Sequence, residues 1–270
     1  MRIGWCGKIE DAGIYAAAGF DYLEVMANPV FGGLEESWTK PDTSGLALPI
    51  ETSNCLLPGA LKVVGSERDM GKLRQYMERA TTRAAGMGVE VMVFGGGGSR
   101  VRPDDMPEKT AMKQIAEFVA MAVDVAAASS VSIALEHLTR KETNTLNKLE
   151  QVMRIVEMVD DDRLGVLVDS YHFGLEDESE EMLFEIGERL IHVHVAEPID
   201  RIEPGGHGPY GESDKAFDFE SFFCALRKIG YDRRVSVEVA GLTGPVGQSA
   251  AAAAKFLKSM WKAAGRCEVQ

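Results

Sequence analysis

VSIALEHLTRKETN, residues 131–144, alternates in its first half, with Val131, Ile133 and Leu135 on one face and Ser132, Ala134 and Glu136 on the other. A period of two is that of a β-strand, so one face packs and the other ends in a carboxylate. Three later segments repeat the pattern. Val166 and Val168 alternate with Leu167 and Asp169, Ile191, Val193 and Val195 with His192 and His194, and Val235, Val237 and Val239 with Ser236 and Glu238. If the four strands are parallel neighbours in a closed barrel, their aliphatic faces pack outward on helices and Glu136, Asp169, His194 and Glu238 converge inside. Carboxylates at short range oppose one another's ionisation and bury poorly, so such a convergence calls for a divalent cation. Three oxygen donors and one imidazole suit a harder ion than thiolate-bound zinc. Mn²⁺ is expected, with Mg²⁺ or Co²⁺ as alternatives.

Outward from this stretch, the rest of the chain alternates strand with helix. Arg2 to Cys6, Tyr22 to Met26, Pro49 to Cys55 and Val89 to Phe94 read as strands. Helices are expected over Asp11 to Gly19, near Glu35, from a cap at Ser66 to Ala85, over Pro107 to Ala128, Leu146 to Val159, Met182 to Gly187 and Phe219 to Ile229, and from Gln248 to Ala264. In the long third segment Leu73, Tyr76, Met77 and Ala80 recur at spacings of three and four, a helical face. Eight such units average about 34 residues, which fits the roughly 250-residue (β/α)₈ TIM barrel. The fold class is therefore α/β, and residues 1–270 are expected to form one TIM-barrel domain. A doubly wound open sheet would want a glycine fingerprint opening a helix in the first unit, and none stands there.

Composition excludes several partners. The formal charge is −13, whereas a nucleic-acid site needs clustered Lys and Arg. No nucleic-acid partner is expected. The most apolar run, Phe118 to Leu135, contains Asp124 and changes from alanine-rich to β-branched at Ser129–Ser130, so it reads as helix, turn and strand rather than a membrane span. The N-terminus MRIGWCGKIED lacks the layout of a secretion signal. Cys6, Cys55, Cys224 and Cys267 show no CxxC spacing and read as reduced thiols of a cytoplasmic protein.

Other polar residues lie close to the strand ends. His172 follows Asp169 where the chain begins to turn. His192 points the same way as His194, one layer deeper, and His137 points to the opposite face as a structural residue. Glu142 and Arg201 stand a few residues past strand ends, within reach of a ligand. The run GGGGSR at 95–100 could hold an anion through backbone N–H groups and Arg100. Residues 198–218 form a long, glycine-rich loop of the kind that carries function.

The order ALEHLTRKE, VDSYH, HVHVAEP with a following arginine, and VEV resembles the xylose-isomerase-like barrel superfamily, within it the sugar isomerases and epimerases, nearest the ketose 3-epimerases. FDYLEV, NCLLPG and VFGGGGSR extend the likeness over nearly the whole chain. The resemblance implies Glu136, Asp169, His194 and Glu238 as metal ligands, with Glu136 and Glu238 also the acid/base pair on opposite faces of the substrate. It implies His172, Arg201 and Glu142 as contacts to substrate oxygens. Two departures are present: EPIDR places Arg201 one residue later than the epimerase pattern, and Thr139 replaces a frequent asparagine. The implied partner is a small-molecule sugar, and the implied assembly a homodimer or homotetramer.

Overall fold

A computed structural model describes residues 1–32, 37–205 and 216–267. The helix expected near Glu35 and most of the loop from 206 onward lie outside the described residues. Eight parallel strands follow one another in sequence order and close on themselves: β1 (Arg2–Cys6), β2 (Tyr22–Met26), β3 (Ile50–Asn54), β4 (Val91–Phe94), β5 (Ser132–Glu136), β6 (Leu164–Asp169), β7 (Leu190–Val195) and β8 (Arg234–Val237). This is a (β/α)₈ TIM barrel. The intervening helices are α1 (Ala12–Ala18), α2 (Ala27–Phe31), α3 (Met70–Ala85), α4 (Glu108–Ala127), α5 (Leu149–Val159), α6 (Ser170–Leu175), α7 (Glu180–Ile186), α8 (Phe219–Lys228) and α9 (Val246–Ala264).

Contacts group the chain into two compact units, one of Met1–Glu24, Leu46–Pro49 and Leu167–Gln270, the other of Val25–Gly45 and Ile50–Val166. In the first, Gly4 pairs with Tyr22 on β2 and with Ser236 on β8, and His194 on β7 also pairs with Ser236. A Cβ on Gly4 would stand 2.2 Å from the Tyr22 ring, so only glycine lets that ring lie across the inner face of β1. α9 packs on α1 and α8, with Leu257, Ala253 and Ala254 buried. In the second unit, Val93 pairs with Ala134 and Phe94 with Leu135, and α3 packs on α4. Phe94 meets Phe118 edge to face at 5.0 Å. Ile133 and Leu135 are fully buried, and each such side chain stabilises the fold by about 1.5–3 kcal/mol.

Several expected boundaries move, each for a local reason. The cap of α3 is Asp69, not Ser66: its carboxylate accepts from the N–H groups of Gly71 and Lys72, which a helix start leaves without partners. α5 begins at Leu149 rather than Leu146, because Asn147 donates its amide to the carbonyls of Leu138 and Thr143 and ties the chain in a turn. The expected strand to Val239 stops at Val237, leaving Glu238 one residue beyond, with its N–H on the carbonyl of Val195 at 3.2 Å. The expectation of reduced thiols fails for one pair. Cys224 on α8 and Cys267, just past α9, form a disulfide, with Cα atoms 5.7 Å apart. A sequence separation of 43 hides that approach from any spacing rule. Cys6 and Cys55 stand outside this disulfide. No described helix is long and apolar enough to cross a membrane.

Candidate metal centre

Glu136 ends β5 with its side chain nearly buried, 3% exposed. Its Oε2 occupies the space that a side chain on Gly95 would fill, since a Cβ there would be 1.8 Å away. Arg100 sits in the same unit and is fully buried. Its Nη2 donates to the Glu136 carbonyl at 2.7 Å and its Nη1 to the Phe94 carbonyl at 3.2 Å. Burial lowers its pKa to about 10, and the charges of Glu136 and Glu142 work in the other direction. The guanidinium expected to meet an anion is therefore spent on the C-terminal ends of β4 and β5. Glu142 lies on an exposed turn.

The remaining groups belong to the first unit. Asp169 ends β6 and caps α6, its Oδ1 accepting from the Tyr171 N–H at 2.9 Å. That leaves Oδ2 facing Arg201 Nη2 at 3.2 Å and His172 Nε2 at 3.8 Å. His172 is thus on the first turn of a helix and fully buried. Arg201 also donates to Glu238 Oε2, and its guanidinium carbon lies 4.9 Å from the Tyr171 ring centre. Its φ is 48°, a left-handed conformation held by the bond from the Ala240 N–H to its carbonyl at 2.8 Å. Nearby, Glu203 accepts from the Thr243 N–H and hydroxyl and ties the loop to the segment after β8.

On β7, His192 and His194 project to the same side and turn their Nε2 atoms to one carboxylate, that of Glu24 on β2, at 2.8 and 2.9 Å. Glu24 is fully buried. Burial opposes its charge, but His194 and His192 outweigh that and hold its pKa well below the usual range. His194 Nδ1 lies 3.3 Å from Glu238 Oε2. Burial likewise opposes the charge of Glu238, while His194 and Arg201 draw its pKa down to about 2. His137 is buried, and burial together with Arg100 and Lys148 pushes its imidazole down to about 3, so it is neutral.

One ligand atom from each of Glu136, Asp169, His194 and Glu238 falls within 4.8 Å of the others. The donor set fits a divalent ion on chemical grounds. Two of the three carboxylates, Asp169 and Glu238, share the Arg201 guanidinium, and the imidazole is already oriented by a carboxylate behind it, as metal-bound histidines usually are. Cys6, Glu24 and His194 also fall within that spacing. There, however, the Glu24–His194 contact is a direct hydrogen bond, and Glu24 is further engaged by Ser236 at 2.6 Å, so its carboxylate is already occupied by donors. Sequence periodicity alone does not single out Glu24 or Ser236. The available signal is an acid inside the otherwise apolar strand YLEVM.

The chain is similar to several known proteins. A stretch of 121 residues is 31% identical to the ketose 3-epimerase of Arthrobacter globiformis, covering 44% of this chain and 39% of that enzyme, so the chain spans well under half the length of that relative. Over 227 residues the chain is 26% identical to the 3-dehydro-D-guloside 4-epimerase of Escherichia coli (strain K12), covering 82% of each. A solved structure of L-ribulose 3-epimerase superposes with a TM-score of 0.80 at 19% identity, over 98% of this chain and 96% of that one. A family profile covers residues 14–260, and on that match the chain belongs to the xylose isomerase-like TIM barrel family.

Proposed function

We propose that this chain is a divalent-metal-dependent sugar epimerase or isomerase that epimerises a ketose, or a keto-sugar derivative, at C3. The convergence of Glu136, Asp169, His194 and Glu238 at the strand ends carries the reading. These four residues would hold Mn²⁺, with Mg²⁺ or Co²⁺ as alternatives. When bound, the ion supplies positive charge where an enediolate develops. Glu136 and Glu238 divide the proton work. One takes the proton next to the carbonyl from one face of the sugar, and the other returns a proton to the opposite face, inverting the carbon. Glu238, held ionised by His194 and Arg201, is ready to accept. His172 and Arg201 hold substrate oxygens, and Glu142 adds a contact from its turn. Arg100 serves the site from beneath, through the strand ends it binds, and not as an anion clamp.

The partner is a small-molecule sugar, and the chain acts as one domain in a homodimer or homotetramer. A cytoplasmic setting belongs to the same reading, and there the Cys224–Cys267 bond would open to two thiols. The charge of −13 speaks against nucleic acid. The relative matched over 82% of its length acts on a keto-glycoside, which supports a second reading, epimerisation of such a glycoside at C4. The test is solvent deuterium incorporation into a panel of free ketoses, phosphorylated ketoses, inososes and keto-glycosides, with Mn²⁺ and after chelation. We expect exchange at the epimerised carbon of one class, lost on chelation. Absence of exchange with every member would overturn the proposal, and exchange at C4 of a keto-glycoside alone would select the second reading.

A further inference from the structure

We propose that Glu24 is a positioning residue that keeps a proton on Nε2 of His194 and thereby turns Nδ1 toward the carboxylates of the metal centre. This rests on the metal-centre reading above. The geometry is a buried hub within the inner layer of the first unit. Glu24 Oε2 faces His192 Nε2 at 2.8 Å and Ser236 Oγ at 2.6 Å, and Oε1 faces His194 Nε2 at 2.9 Å. An ionised carboxylate only accepts, so all three facing groups must be donors. Ser236 gives its proton to Glu24 and in turn accepts from the Tyr22 hydroxyl at 2.7 Å, which completes the chain. Gly4 makes room for that tyrosine ring, because any side chain there would overlap it.

The consequence for His194 follows from its two nitrogens. With Nε2 committed to Glu24, Nδ1 is the nitrogen that lies 3.3 Å from Glu238 Oε2, on the side of the proposed ligands. Swapping the proton to Nδ1 would leave Nε2 as a second acceptor against the Glu24 carboxylate, which is unfavourable in a buried site. His192 takes the same role on the other oxygen, so the carboxylate is filled on both sides and cannot rotate without breaking three bonds.

Glu24→Gln separates the donors from the acceptors. Two donors stand at Oε2, so the amide oxygen belongs there and the amide nitrogen faces His194, which must then present Nε2 as an acceptor and carry its proton on Nδ1. We would measure the ring ¹⁵N shifts of His194 in wild type and variant, in a chain with five histidines to assign, and Mn²⁺ affinity by titration calorimetry. The expected results are a protonated Nε2 in wild type, its loss in Glu24→Gln, and Mn²⁺ bound roughly 10- to 100-fold more weakly by the variant. An unprotonated Nε2 in the wild type overturns the proposal, whether or not the variant folds. So does a folded variant that binds Mn²⁺ within twofold of wild type. A wild type that binds no divalent ion yet carries Nε2–H on His194 would instead sink the metal reading and leave the role of Glu24 standing.

Discussion

Gly95→Ala isolates the placement of one carboxylate from the stability of the fold. The new Cβ would stand 1.8 Å from Glu136 Oε2 and 3.0 Å from its Cδ, while the next neighbour, Val93 Cγ1, is at an ordinary 3.5 Å. A carbon and a carboxylate oxygen settle at about 3.3 Å, so the oxygen must move by about 1.5 Å. The clashing atom is the far end of a flexible side chain, and rotating Glu136 relieves it without shifting backbone. Stability should therefore change little. Catalysis should not be spared, because a displacement of about 1 Å at a reacting group can cost about 100-fold, or roughly 2.7 kcal/mol of transition-state stabilisation. The assay is deuterium exchange under single-turnover conditions with the preferred sugar, alongside Mn²⁺ titration and thermal unfolding. Gly13→Ala, in α1 with nothing within 4 Å of the new Cβ, is the control and should leave exchange unchanged. Wild-type exchange in Gly95→Ala would refute the placement of Glu136 in the reaction.

Other perturbations test the surroundings. Arg100→Met strips the buried carbonyls of Phe94 and Glu136 of their donors and should lower unfolding free energy by about 2–5 kcal/mol in urea, with Arg100→Lys losing less; equal stabilities would count against a stabilising role for those two bonds. His137, neutral in the fold with its pKa near 3, makes stability fall as pH drops below the unfolded value of about 6.5, because the unfolded chain binds a proton that the folded chain refuses until pH reaches its lower pKa. The slope from this group is about 1.4 kcal/mol per pH unit, and His137→Gln should remove it from denaturant curves taken between pH 6 and 4. Reducing Cys224–Cys267, which closes a loop of sequence separation 43, should cost about 2–4 kcal/mol and lower Tm. Thiol titration of oxidised, unfolded protein should find only Cys6 and Cys55, and reactive thiols at all four positions would contradict the bond.

The parts of the site that could be read from the sequence share one property. Glu136, Asp169, His192 and His194 occupy alternate positions on strands, and period two states which face each side chain takes before any partner is known. Glu238 was placed on the same face although it stands past the end of β8, because its N–H still follows the ladder to Val195. His172 was harder: it lies beyond a strand end, where the period is lost, and the α6 start that buries it depends on the cap at Asp169. Arg100 is no easier to place, because a charged residue after a glycine run carries no periodic signal of burial. Only the two carbonyls it meets, one from Glu136, 36 residues further along, make its burial possible.

By itself the chain's alternation of apolar and polar residues determined the strand–helix repeat, and with it the barrel and the side of each strand that carries acids and imidazoles, since these are local consequences of backbone period. Tertiary structure alone decided who meets whom. Glu24 and His194 lie 170 positions apart, Glu24 and Ser236 212 apart, and Cys224 and Cys267 43 apart. No local pattern encodes such meetings, because hydrogen bonds and disulfides depend on distances set by the closing of strands and the packing of helices.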